Sequence, residues 1–589
     1  MITRRFSSLA LVASVAFLAF AIADGHRRNL ERNDTEPHTA RRSMDKNWAP
    51  NETVTGTILA ANFAQGQRDW AMANTYLDKL SNPASSDITT QTRMMLLALS
   101  AGQFDRAVQY AQKLHKTAPK DAAVDVSPAG DGRDLASIVL MAQAIRGGDL
   151  ATAQKEMSTL RSPALMAFVQ PVLANWVRAG QKQPLDSAVD GLSLLQALHR
   201  GLAAEWSGQK DVANKVFDAL ARIPLTPQGT LMVAAYNIRA GRADQARAAL
   251  TEALRLNPMD RNAKAMLEAL NQGQTPIMKP QYAFHMQGVT AGVGMAFMDL
   301  AQMMMADRAG DSALIFAQLG RMVRPDVPGL PLLIGSVFEE QGRLDDAVSV
   351  FSSVQPNDVD YVDTQVRLAE LRAGQGEQDK AIRILESLME KKPEPRVAYA
   401  LGEIYRQGKE FKKATGAYNQ AVELSGGKVD DDLWSLYFVR AMTYDEMDQW
   451  DKAEADLKTA LEYRPDNPQV LNFLAYSWAD KNMHLEQSRE MLARALSRAP
   501  SDAYITDSMG WVFYRQGQYA EATLLLEHAV SLKPYDPVLN DHLGDVYAKT
   551  GRTLESRYQW QRALDHADKE KDETLIKDVT AKLKGEKSI

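Results

Sequence analysis

Small, aromatic and apolar residues return at a fixed interval near the end of the chain, between Ala503 and Glu570. Gly510 and Gly544 are 34 positions apart, and so are Phe513 and Tyr547, Gly517 and Gly551, and Ala529 and Ala563. This spacing reads as a helix, a tight turn and a second helix folded back on the first. Gly510 and Gly544 carry no side chain, so a partner helix can come close there. Phe513 and Tyr547 lie three residues on, on nearly the same face, and fill the space beside them. Gly517 and Gly551 fall in the turn, where glycine takes left-handed backbone at little cost. Ala522 and Ala529 keep one face of the second helix thin, and Leu526 between them supplies apolar bulk. Pro534 ends the run. One such pair cannot bury its apolar face alone, so the pattern demands more copies.

The copies are present. Ala313, Ala347, Ala381, Ala414, Ala453, Ser488, Ala522 and Ser556 mark one equivalent position, at spacings of 34, 34, 33, 39, 35, 34 and 34. The long interval is assigned to a surface insertion at 425–432, and the 35 to one extra residue near Met483–Leu485. Eight units therefore span 294–570. The tail, 571–589, places Leu575, Ile576, Val579 and Leu583 on one face among charges, as a capping helix does. Residues 54–270 form a looser array. Trp70, Ala73, Leu77 and Leu80 mark a first pair; Phe104, Ala107, Ala111, Leu114 and Pro119 mark a second. Residues 121–134 read as a loop, with Pro128, Gly130 and Gly132. Gly147-Gly148 turns a further pair. Leu165–Val177 and Leu185–Leu195 are read as helices that fit the unit poorly, before Gly201, Ala213, Phe217, Gly241 and Ala246 restore it. Residues 271–293, rich in glycine and proline, are taken as the junction between the two arrays.

A 34-residue period with these residue types is the signature of the tetratricopeptide repeat. The runs from Leu471 to Asp480, from Asp507 to Arg515 and from Asn540 to Asp545 carry it most fully. The chain resembles secreted proteobacterial tetratricopeptide repeat proteins, similar to envelope adaptor proteins. That resemblance implies an all-α superhelix, or α-solenoid, in two sub-arrays. It also implies a scaffold without catalysis that presents proteins to an envelope protease or assembly complex. Some relatives carry a lipid anchor; this chain has no cysteine to bear one.

Composition adds a compartment. Arg4-Arg5, the apolar run Phe6–Ile22 and Ala21-Ile22-Ala23 read as a signal peptide over 1–23, followed by a polar linker over 24–53. The expected site is the periplasm; an uncleaved inner-membrane anchor is the alternative. No other stretch is read as long and apolar enough to cross a membrane. The formal net charge of −6 is small for 589 residues and argues against nucleic acid as a partner. Zero cysteines exclude disulfides and thiolate metal sites.

Candidate chemistry is sparse. No zinc-protease, nucleophile-elbow, phosphate-loop or dinucleotide motif occurs. No catalytic residue, cofactor or metal site is assigned. His542 beside Asp541 is read as a polar residue at a helix start. Met278, Met286, Met295, Met298 and Met303–Met305 have the thioethers to hold copper(I), but packing or peptide contact is the favoured reading of them. The richer constellation is the face that first helices of this repeat turn to the groove. The family's pattern maps there Asn472, Tyr476, Asp480, Tyr504, Asp507, Trp511, Tyr514, Arg515, Asp541 and Asp545. Aromatics interleaved with carboxylates suit basic or amide-rich protein segments. A polysaccharide- or peptidoglycan-associated role is the alternative, since aromatics also stack on sugars.

Overall fold

The computed structural model describes residues 54–66, 70–79, 88–117, 132–257, 260–276, 288–426, 433–569 and 572–585. The signal and linker stretches, most of the 121–134 loop, Met278, Met286 and most of the 425–432 insertion lie outside them. Among the described residues the regular secondary structure is all helix, with no strand. The helices come as antiparallel pairs. From Val289 onward they form eight, the last being Pro537–Lys549 with Thr553–His566. Two compact units divide between Leu371 and Arg372, within the helix Tyr361–Gly374. The stretch read as a junction ends instead inside the first unit.

One rule of packing repeats through both units. A glycine in the first helix faces a bulky side chain sixteen residues later in the second. In the first unit Gly201 meets Phe217 and Gly335 meets Phe351. In the second, Gly402 meets Tyr418, Gly510 meets Leu526 and Gly544 meets Trp560. A Cβ placed at these glycines would lie 2.7, 2.2, 2.4, 2.8 and 2.4 Å from the facing side chain. Helix pairs this close need the missing Cβ, because interiors are already packed to crystal density. The marker positions on the second helices, from Ala313 to Ser556, are buried in every copy, as are Ala73, Ala107, Ala153, Ala213 and Ala246.

The first unit departs from the sequence reading in two places. The expected helix at Leu185–Leu195 is absent. Residues 181–193 are irregular, and the next helix, Leu194–Trp206, begins only after Ser193. Ser193 and Gln196 form a reciprocal capping box, which sets the start there, while Pro184 and Gly191 discourage an earlier one. Second, the helix Val289–Ala306 is long and apolar enough to span a membrane, contrary to the expectation that no further stretch was. Most of it is buried inside the unit, including Met295, Met298 and Met304. Gly292 sits against the ring of Trp176, Phe297 packs near Phe316, and Asp299 accepts from His199 at 3.0 Å. The indole of Trp176 donates to the other ring nitrogen of His199 at 3.0 Å, which fixes the tautomer and ties three helices together.

In the second unit the last three pairs start from caps at matched positions. Asn467, Asp502 and Asp536 each accept two backbone amides of the helix that follows, at 2.9–3.2 Å. Such caps stabilise a helix by about 1 kcal/mol each. The turn within a pair needs left-handed backbone. Gly517 and Gly551 supply it at φ 76° and 77°, but Lys409, Asp448 and Asn482 hold it at 59°, 56° and 57°. The extra residue near Met483–Leu485 is accommodated by a second left-handed residue, His484, at φ 46°.

Candidate binding face of the C-terminal helix pairs

Three first helices of the second unit carry the candidate residues: Pro468–Asp480, Ala503–Arg515 and Pro537–Lys549. Their faces are joined by a ladder of polar contacts from each helix to the next. Arg515 donates to the backbone carbonyl of Asp480 at 2.9 Å. His542 Nδ1 and Asp507 Oδ2 lie 2.9 Å apart, both buried. Asp541 accepts from Lys582 Nζ at 2.7 and 2.9 Å, and Asp545 accepts from it at 2.8 Å. Lys582 comes from the tail helix Glu573–Lys584, which acts as one more first helix.

Aromatic rings fill the space between the charges. The His542 ring stacks on Trp511 at 4.1 Å and 16°, and Trp511 stacks in turn on Tyr514 at 4.7 Å and 9°. Tyr476 lies 6.2 Å from His542, ring to ring. A charged imidazole on an indole face gains cation–π attraction besides its ion pair.

The electrostatics follow from this enclosure. Burial, the largest single influence, pushes the His542 imidazole down. The charge and hydrogen bond of Asp507, with Asp541 and Asp545 beyond, outweigh it and raise the pKa to about 9. Burial and the neighbouring Asp541 push the Asp545 carboxyl up, against the pull of Lys582. Burial lowers the Lys582 ammonium, but Asp545 and Asp541 more than offset it, so the lysine stays charged. Burial, then Asp480, Asp507 and Asp541, raise the Tyr476 phenol. Those three carboxylates thus share one neighbourhood.

The ten sequence candidates divide by exposure. Asp480 and Tyr504 are exposed; the Tyr504 hydroxyl donates to Asp536 at 3.0 Å, and Lys533 lies 4.1 Å over its ring. Asn472, Tyr476, Tyr514 and Arg515 are part-buried. Asp507, Trp511, Asp541 and Asp545 are buried, at 4, 7, 7 and 5% exposure. These four are walls of the face, not projections from it. Even so, Asp507 Oδ1, Trp511 Nε1 and Asn472 Oδ1 are buried without a hydrogen-bond partner. All three atoms sit on the first helices Pro468–Asp480 and Ala503–Arg515.

Two residues of the face escaped the sequence reading. His542 stands in mid-helix, buried, and not at a helix start. Its partner Asp507 is 35 positions away, which no local pattern signals. Lys582 had a legible signal. Continuing the 34-residue register once more into the tail puts Lys582 level with Tyr514 and Ala548, at a groove position.

Comparison with known proteins agrees with the helix pairs. Tetratricopeptide repeat models match residues 338–404, 395–427, 438–484 and 481–537. A TPR repeat-containing protein of Pseudomonas aeruginosa is 28% identical over 191 residues, which is 32% of this chain and 31% of that protein. One from Bacillus subtilis is 22% identical over 202 residues, 34% of this chain and 46% of the relative. The chain thus spans less than half the length of either. Among solved structures, a tetratricopeptide repeat protein from Parabacteroides merdae is similar over 42% of this chain and 97% of its own, at 15% identity and a TM-score of 0.34. Yeast Tom70 is similar over 90% and 96%, at 14% identity and a TM-score of 0.30. The chain carries tetratricopeptide repeats, matched across residues 338–537 apart from 428–437.

Proposed function

We propose that the chain is a non-enzymatic scaffold of the bacterial cell envelope that binds segments of other proteins on the first-helix face of its C-terminal pairs. The observation that carries this is the solvent-reaching part of the first-helix face, the exposed Asp480 and Tyr504 with the part-buried Asn472, Tyr476, Tyr514 and Arg515. A protein segment supplies donors and acceptors to these polar side chains, together with apolar area for the aromatics. The carboxylates on the face favour a basic segment and make binding depend on salt.

Asp480→Lys with Tyr504→Ala tests this. Both side chains are exposed, so melting stays near that of the parent. Capture of crosslinked partner proteins falls at least tenfold. Unchanged capture would exclude this face. The envelope location rests on Arg4-Arg5, Phe6–Ile22 and Ala21-Ile22-Ala23. Mass spectrometry of the mature protein should find an N-terminus near Asp24. Met1 retained in a membrane fraction would mean an anchor, and Met1 retained in the cytosol would defeat the location.

A further inference from the structure

We infer that the socket formed by Asp541 and Asp545 is a receptor for a lysine on an amphipathic helix of a partner protein, and that the chain's own helix Glu573–Lys584 fills it until that partner displaces it. This rests on the binding face proposed above and names the chemistry of its ligand.

The first support is the occupant already seated there. Lys582 Nζ bonds both oxygens of Asp541 and one of Asp545, with all three side chains nearly closed to solvent. Asp545 also accepts from the Trp560 indole at 3.0 Å. The socket therefore takes a primary ammonium in a defined position, and the helix presents it three residues after an apolar anchor, Val579.

Charge is the second support. Asp507, Asp541 and Asp545 bring three buried carboxylates together, against one imidazole and one ammonium. Asp507 Oδ1 and Trp511 Nε1, both more than nine-tenths buried, keep no partner. The carboxylates thus outnumber the cations, which favours a cationic side chain in the socket.

The third support is how lightly the tail helix is held. The helix Pro537–Lys549 buries nine residues in a row, from Leu539 to Tyr547; Glu573–Lys584 fully buries only Val579. Leu575 and Leu583 are part-buried against Trp560 and Ala563. Arg557 adds one bond to the carbonyl of Leu583 at 2.9 Å. Segments with so few buried apolar contacts open more often than the array they cover, and the Lys582 bonds are then the main hold on this helix.

The test uses the full chain with Val579→Asp and Lys582→Ala, which undocks the tail, and a fluorescent peptide of residues 572–585 as the added helix. The undocked variant should bind the peptide at least tenfold tighter than the parent chain, whose socket is already filled. A Lys582→Ala peptide should bind at least tenfold more weakly, and salt should weaken only the lysine peptide. Equal binding by parent and variant, or by the two peptides, would overturn the inference. Should the variant lose helicity, hydrogen exchange on the parent chain decides instead. Glu573–Lys584 should exchange at least a hundredfold faster than Pro537–Lys549, and equal protection would make it a permanent cap. If peptide binding fails while Asp480→Lys with Tyr504→Ala still lowers partner capture, the binding face stands and only displacement of the tail is refuted.

Discussion

His542 links the repeat fold to pH. Its imidazole is buried, stacked on Trp511 and paired with Asp507 at 2.9 Å, with Asp541 and Asp545 close by. The folded pKa is raised to about 9, against about 6.5 for an unperturbed histidine. A raised pKa means the native state holds its proton more tightly than the unfolded chain does. The stabilisation is therefore complete below about pH 6.5 and disappears as pH climbs through about 9. A difference of about 2.5 units corresponds to about 3 kcal/mol. Repeat arrays open in segments, so the readout must be local. Amide protection in Ala503–Arg515 and Pro537–Lys549, corrected for intrinsic exchange, should fall by about two orders of magnitude between pH 6.5 and 9.5. His542→Gln should begin less protected and show little further slope. An imidazole that titrates near 6.5 by NMR would refute the reasoning, as would the same slope in His542→Gln.

Other perturbations have defined costs. Trp511→Ala empties a site in the core cluster that includes Leu492 and Val512, stacked between His542 and Tyr514, and should cost about 3–5 kcal/mol, read as early urea unfolding of the second unit with the first unchanged. Gly402→Ala drives a Cβ to 2.4 Å from Tyr418 and should cost about 1–3 kcal/mol by the same measurement. Lys409→Gly relieves a left-handed residue at φ 59° and should raise stability by up to about 1 kcal/mol; a loss would mean that its side chain contributes more than its backbone costs.

The repeat was legible because its signals are local and recur. The marker alanines and serines from Ala313 to Ser556 lie at one position on successive second helices, and all are buried. The inserted residue at Met483–Leu485 was visible as a break in spacing and appears as an extra left-handed residue at His484. The helix expected at Leu185–Leu195 failed because its apolar residues suggested a helix that Pro184 and the Ser193–Gln196 box place later. The binding face was legible as a list of positions and not as an arrangement. Periodicity puts Trp511 on a first-helix face, but it cannot tell that His542 from the next pair covers the ring. Ion pairs such as Asp507 with His542 and Asp541 with Lys582 join residues 35 and 41 positions apart. Their register depends on how adjacent pairs stack, which no single repeat encodes.

Site-specific photo-crosslinking in living cells reads out directly which face of the C-terminal pairs partners occupy. A photoreactive side chain at Asp480 or Tyr504 reports from the first-helix face; one at Leu524 or Tyr558, exposed on the second helices, reports from the other face. If partners bind the first-helix face, one and the same protein is captured from Asp480 and Tyr504, and Leu524 and Tyr558 do not capture it. Capture of partners from Leu524 and Tyr558 alone would contradict binding on that face.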